Sequence, residues 1–259
     1  MWAIEDDILY MKAEQGGKEF ALEPLCDKER LGEAAGFWLK YFAEKNKPFL
    51  MYGVEEGAAV KIMEAHGTRL MMEEDEDNCD YVYASSDLIN LAGRKFHAKK
   101  NHINSFKKNY PNAEYLPITE NIITQCKINI NGWYKKHDRS DENITTERNA
   151  IIEVLNNFDY LELKGGAILL DNRVVAFTLG EQLNYNTAVV HVEKADPDVR
   201  GAYPLINQQF VAHEFAALEF INREEDMGIE GLRKAKESYR PVKRIHKYAI
   251  KEKKDGAEN

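Results

Sequence analysis

The sequence predicts an α/β (α+β) protein of two tandem domains, each a mixed, mostly antiparallel sheet flanked by helices. Three observations carry that expectation. The 259 residues are enough for two cores of moderate size. Apolar residues recur with helical period in some stretches and alternate as in strands in others. The strands of the second half come first as a meander and then alternate with helices.

The chain is 44% hydrophobic and 31% charged, as expected of a soluble globular protein, and no apolar run approaches the roughly 20 residues that span a bilayer. Met1 is followed by Trp2-Ala3-Ile4-Glu5-Asp6-Asp7, which lacks the basic start and apolar stretch of a secretory signal, so a cytoplasmic location is expected. Met1 also opens almost at a strand, which leaves room for an upstream element. Cys26, Cys79 and Cys126 are odd in number and widely spaced, so they read as free thiols with neither a disulfide framework nor a zinc spacing.

A net charge of −9 argues against general nucleic-acid binding. Its distribution matters more. No Asp or Glu occurs from Leu88 to Ala113, where Arg94, Lys95, Lys99, Lys100, Lys107 and Lys108 are joined by His97 and His102.

In order, Ile4–Lys12 and Lys18–Leu22 read as a hairpin through Gln15-Gly16-Gly17. Asp27 is placed to cap a helix to about Glu44, whose apolar stripe is Leu31, Ala34, Ala35, Trp38, Leu39 and Phe42. Phe49–Val54 is a strand, Glu55–Ala65 a helix ended by Gly67, and Thr68–Met72 and Tyr81–Ala84 are strands around an acidic turn. Ser85-Ser86-Asp87 caps a short helix, Gly93 breaks it, and Arg94–Asn109 forms a longer one. Glu114–Ile118 is a crossing strand, with the domain boundary near Pro111–Pro117, giving domains 1–113 and 114–259.

In the second domain, Thr119 starts a helix to about His137, Asp138–Glu142 is a polar loop, and Thr145–Asn156 is a helix. Tyr160–Leu170, Arg173–Gln182 and Thr187–Glu193 form a meander. A helix from Pro204 to Ala216, a strand Leu218–Ile221, a helix Ile229–Tyr239 and a strand Val242–Ile250 follow, before a charged tail Lys251–Asn259 expected to be disordered.

Between meander and helix stands Val199-Arg200-Gly201-Ala202-Tyr203. A strand-loop-helix order there makes the loop either an ordinary turn or an anion site, where backbone N–H groups and the helix dipole meet a phosphate, with Arg200 adding charge. Within the first half, the strand Phe49–Val54 leads almost directly into Glu55-Glu56, whose carboxylates would repel phosphate.

The order of the second half resembles the Gcn5-related N-acetyltransferase (GNAT) fold, in which a loop after the fourth strand, of the kind Arg/Gln-x-x-Gly-x-Gly/Ala, holds the pyrophosphate of coenzyme A. Only Arg200-Gly201-Ala202 matches that loop. Gly93–Lys108, Val199–Phe210 and Asn222–Pro241 resemble a bacterial family similar to the C-terminal part of phosphatidylglycerol lysyltransferases. That resemblance implies a tandem acetyltransferase-like fold; if the halves are a repeat, the Glu55-Glu56 start means that the first has lost, or never had, the carrier site. For the characterised lysyltransferases it implies transfer of an aminoacyl group from tRNA to a lipid head group.

Acyl transfer needs a held carrier, a neutral nucleophile, an oxyanion donor and a proton for the leaving group. The leading expectation is an acyltransferase taking its acyl group from acyl-CoA, with coenzyme A as co-substrate, to an amine. An aminoacyl-tRNA-dependent transferase and a non-catalytic binding protein of the same fold are the alternatives. Glu193 at the strand end is the candidate base, or a solvated charge, and His191 is expected to share its face of the sheet. The resemblance makes Tyr239 the acid for the leaving group. Val199, Arg200, Gly201, Ala202, Tyr203 and Lys234 are the candidate carrier contacts. Asn222, Glu224 and Asp226 either cap the next helix or hold the acceptor's ammonium group. Arg94, His97, Lys99 and Lys100 suit the phosphates of coenzyme A, of a tRNA acceptor stem or of an anionic lipid, and residue type does not choose among them. No metal is expected.

Overall fold

The structure, a computed structural model, describes residues 1–135 and 142–253. The chain opens with β1 (Trp2–Glu5), β2 (Ile8–Gln15), β3 (Lys18–Leu22), α1 (Leu31–Glu44), β4 (Leu50–Glu55), α2 (Glu56–His66) and β5 (Leu70–Glu74). It continues through β6 (Asp80–Ala84), α3 (Ser85–Asn90), α4 (His97–Asn109), β7 (Glu114–Pro117), α5 (Glu120–Lys135) and α6 (Glu142–Asn156). Then come β8 (Lys164–Leu170), β9 (Arg173–Gln182), β10 (Thr187–Ala195), α7 (Ala202–Glu214), β11 (Phe220–Asn222), α8 (Glu230–Glu237), β12 (Lys243–Ile245) and β13 (Lys247–Glu252). Most of the expected Asp138–Glu142 loop, the end of the helix expected to reach His137, and the last six residues lie outside the described residues.

Two compact units result. The first comprises 1–80, 225–230 and 244–259, and the second 81–224 and 231–243. The break therefore falls after Asp80, not at the expected 113/114. The cause is packing: Phe96, Ile103 and Phe106 of the basic segment are buried in one core with Leu205, Ile206 and Phe210 of α7, and β6 pairs with β11. These segments thus fold with the second unit, although they precede its meander.

The first unit is a six-stranded sheet in the order β1-β2-β3-β4-β13-β5. All six apolar residues expected on the α1 stripe are buried, against Ile8, Tyr10, Met51, Val54 and Ile250 of the sheet. Burying Leu31, Leu39 and Phe42 contributes about 1.5–3 kcal/mol each. Asp27 does not cap α1, because a short 3-10 turn at Lys28–Arg30 intervenes and Asp27 makes no side-chain cap bond. The expected opening hairpin is a three-strand meander, since Asp6 and Asp7 turn β1 onto β2 at positive φ.

The second unit holds the sheet ordered β12-β6-β11-β10-β9-β8-β7, with β12 beginning at the unit's last residue, Lys243. Its two faces carry separate cores. One joins Val190 and Ala195 of β10 to α3, α4 and α7, and the other joins Val192 to α5 and α6.

The two halves repeat one plan. A meander (β1-β2-β3, then β8-β9-β10) leads through a helix (α1, then α7) to a strand parallel to the meander's last, as Ala21↔Met51 and Ala188↔Ile221 show. A helix and a strand follow in each half. The counterpart of Val199–Tyr203 is therefore the segment after β3, residues 23–30, and not Val54–Glu56 as the order of hydrophobic runs had suggested. In that segment the N–H and C=O of Leu25 are both bonded to Leu9, and the Glu23 carboxylate accepts the Glu55 N–H at 2.8 Å.

The final strand expected over Val242–Ile250 is broken at His246. Its second part, β13, lies between β4 and β5. Correspondingly β6, from the first half of the sequence, lies between β11 and β12. Each sheet thus includes one strand taken from the other half of the sequence. Lys251 and Glu252, expected in the disordered tail, belong to β13.

Candidate active site

The second unit gathers a set of polar side chains around Glu193, near the end of β10. A register shift between Val190 and Val192 decides which side chains reach it. That bulge cancels the simple alternation that would place His191 beside Glu193. His191 instead takes Glu224 at 2.8 Å and Glu181 at 3.0 Å. The hydrogen bond to Glu224, with the second carboxylate, raises its pKa to about 8 despite partial burial.

Glu193 is held from both sides. The Asn207 amide of α7 donates to Oε2 at 2.8 Å, and Arg223, one residue beyond β11, pairs with Oε1 at 3.0 Å. Both partners of the ion pair are nearly buried, with side chains 11% and 13% exposed. Burial works against the Arg223 charge, but Glu193, Tyr83 and Tyr239 outweigh it and hold its pKa above the usual value. Its Cζ lies 4.8 Å from the Tyr239 ring centroid and 5.6 Å from that of Tyr83.

Lys99 reaches the same place from the first turn of α4. Its Nζ stands 4.1 Å from the Tyr239 ring centroid. Burial and the nearby Arg223 charge lower its pKa. Tyr239 is itself buried, which raises its pKa and keeps the phenol protonated. Next to this cluster, buried Lys236 bonds to the carbonyls of Arg223 and Glu224, and Tyr83 donates to the Lys236 carbonyl at 2.8 Å.

Two polar atoms of this cluster are buried without a hydrogen-bond partner: Arg223 Nη1, a donor, and Asn207 Oδ1, an acceptor. An unsatisfied buried polar atom costs about 1–3 kcal/mol. The pair of orphans asks for a ligand that carries both an acceptor and a donor.

Of the sequence-derived candidates, Glu193, Tyr239 and Lys99 come together, while His191 belongs to a separate exposed group. Arg94, His97 and Lys100 are exposed on the segment that carries Lys99, and Lys234 is exposed on α8. Asn222 is buried and accepts the Glu224 N–H at 2.7 Å, and Asp226, in the first unit, accepts the Gly228 N–H at 2.9 Å, so both hold turns.

Val199 and Ala202 are buried, and Arg200 is exposed. Gly201 adopts φ 92° as the residue before α7, and a Cβ there would lie 2.6 Å from the His102 carbonyl oxygen and 3.0 Å from Phe106 Cβ. The close packing of α4 on this turn accounts for the glycine.

Arg223, Asn207, Tyr83 and Lys236 escaped the sequence reading. Asn207 had a visible signal, an amide on a helix between buried Leu205, Ile206, Phe210 and Val211. Arg223 had none beyond its place between Asn222 and Glu224.

A family model described as "Phosphatidylglycerol lysyltransferase, C-terminal" matches residues 1–251. The chain belongs to this family. A conserved protein of unknown function from Bacteroides thetaiotaomicron is 38% identical, with a TM-score of 0.88 over 97% of this chain and 85% of that one. The L-PGS structure from Bacillus licheniformis aligns over 99% of this chain and 85% of that one, with a TM-score of 0.68 and 13% identity. A tandem GNAT protein of the clavulanic acid pathway shares the fold alone, at a TM-score of 0.52 and 8% identity over 95% of this chain and 78% of that one. An uncharacterised curated relative from Mycoplasmoides gallisepticum is 25% identical over 180 residues, and the chain spans 57% of its length. The fold is thus GNAT-like, and no helix among the described residues is long and apolar enough to cross a membrane.

Proposed function

We propose that this chain is an aminoacyltransferase that moves an aminoacyl group from a tRNA ester to a nucleophile, with a hydroxyl of an anionic lipid as the first acceptor to test. The observation that carries the reading is the pair of orphaned atoms beside the Glu193–Arg223 ion pair. An aminoacyl ester offers an acceptor, its carbonyl oxygen, to Arg223 Nη1, and a donor, its α-amino group, to Asn207 Oδ1.

In the transfer, the acceptor hydroxyl attacks the ester carbonyl and loses its proton, a new ester C–O bond forms, and the bond to the tRNA ribose breaks with a proton returned to the ribose oxygen. Charge develops on the carbonyl oxygen, where Arg223 supplies a cation among nearly buried side chains. Glu193 keeps Arg223 charged and oriented. Tyr239, protonated and beside Arg223 and Lys99, is the proton donor for the leaving oxygen. Lys99, whose pKa is lowered by burial and by the Arg223 charge, is the base that accepts the incoming proton. Arg94, His97 and Lys100, exposed on the same segment, suit the phosphates of an RNA acceptor stem.

Transfer from acyl-CoA remains the second reading, favoured by the strand-loop-helix order around Gly201. One assay separates the two. The protein is incubated with tRNA charged with labelled amino acids, or with labelled acetyl-CoA, in the presence of phosphatidylglycerol vesicles and, separately, an amine panel. Label passing from tRNA to lipid, and lost in Arg223→Lys, is the expected result. Label leaving only acetyl-CoA would overturn the reading.

A further inference from the structure

In the first unit, Glu74 at the end of β5, Cys79 just before β6, and His246 between β12 and β13 each offer one ligand atom, and those atoms lie within 4.8 Å of one another. We infer that the three form a binding site for a divalent cation of the zinc class, with a fourth position left for solvent. Nothing in the transfer chemistry of the second unit uses them.

The donor set is the first argument. One thiol, one imidazole and one carboxylate is the mixture that zinc and cobalt prefer, and hard cations such as magnesium do not. Charge is the second. A thiolate and a carboxylate neutralise a dication, so the loaded site has no net charge beside the Asp80–Lys247 pair. Size is the third. Metal–ligand bonds of roughly 2.0–2.3 Å in a tetrahedron set ligand atoms about 3.3–3.6 Å apart, so atoms within 4.8 Å of one another need close by no more than about 1.5 Å. Glu74 and His246, at 39% and 48% side-chain exposure, have the freedom to do so.

The backbone already holds the group together. Asp75 N–H bonds the Lys247 carbonyl at 2.9 Å, which anchors the chain next to His246. Lys247 N–H donates to Cys79 Sγ at 3.4 Å, the kind of contact that stabilises a thiolate. Cys79 is fully buried and now donates its own proton to the Asp75 carbonyl at 3.3 Å. Burial raises the pKa of the thiol, against the pull of the Lys247 N–H and of Arg244. Loading forms the S–metal, N–metal and O–metal bonds, and the thiol proton passes to solvent. The Glu74–His246 hydrogen bond opens.

Cobalt(II) titration of the tag-free full chain reads the site directly. The expected result is a thiolate-to-cobalt charge-transfer band with tetrahedral d–d bands, retained in Cys26→Ser, abolished in Cys79→Ser and reversed by zinc(II). His246→Ala, at an exposed position that does not threaten folding, is expected to weaken binding by about tenfold or more. No charge-transfer band in the wild type, a band that survives Cys79→Ser, or unchanged affinity in His246→Ala would each overturn the site.

Discussion

Arg223 is the residue on which the pocket depends, and its pairing predicts both stability and activity. Breaking a buried ion pair by neutralising one partner strands the other charge, at a cost of about 3–5 kcal/mol. Glu193→Gln is therefore expected to lower the unfolding free energy, read from chemical denaturation, by about that amount, and Glu193→Gln with Arg223→Met to recover much of it; equal losses in single and double variants would show that the charges do not compensate each other. His191 predicts a pH dependence. Its folded pKa of about 8 exceeds the ordinary 6.5, so its stabilising contribution is fully present below about pH 6.5 and fades as pH rises through 8. Thermal midpoints of wild type and His191→Gln should converge between pH 6.5 and 9, and parallel curves would contradict the assignment. Glu193 and Lys99 were nameable from sequence because a carboxylate at a strand end and a lysine without acidic neighbours stand out locally, whereas Tyr239 was named through the family resemblance. Arg223 and Asn207 were not, because what marks them is an unpaired atom inside a tertiary pocket, and no spacing rule carries that.

Gly201 shows how an element can explain a motif. Its φ of 92° and the 2.6 Å approach of the His102 carbonyl both forbid a Cβ. Strain and overpacking each cost about 1–3 kcal/mol. Gly201→Ala is accordingly predicted to destabilise the second unit by about 2–5 kcal/mol and to raise hydrogen exchange along α4, whereas a glycine serving only ligand binding would leave exchange in α4 unchanged. Most elements were legible where apolar periodicity was long and unbroken: the α1 stripe is buried residue for residue, and β9 spans Arg173–Gln182 as expected. The bulge at His191 and the break at His246 were not, because each is one residue in an otherwise continuous strand pattern, and only the neighbouring strands decide where it falls.

At the scale of the molecule, the reciprocal placement of β6 and β13 makes each sheet depend on both halves of the sequence. A fragment of residues 1–113, the domain expected from sequence, lacks β13 and leaves β5 without its neighbour and the core without Ile250. It is predicted to show no cooperative unfolding transition, and a sharp calorimetric transition would contradict the topology. The expected boundary failed for the same reason: turn residues mark where a chain pauses, while the partner of a strand is set by pairings more than a hundred residues away. The central claim is that the Arg223–Asn207–Lys99 pocket receives the aminoacyl end of a charged tRNA. Isothermal titration with non-hydrolysable 3′-amide adenosine mimics carrying lysine or alanine tests it most directly. The account predicts saturable binding that Arg223→Lys and Asn207→Leu each weaken at least about tenfold, the equivalent of about 1.4 kcal/mol; binding that both variants leave unchanged would contradict it.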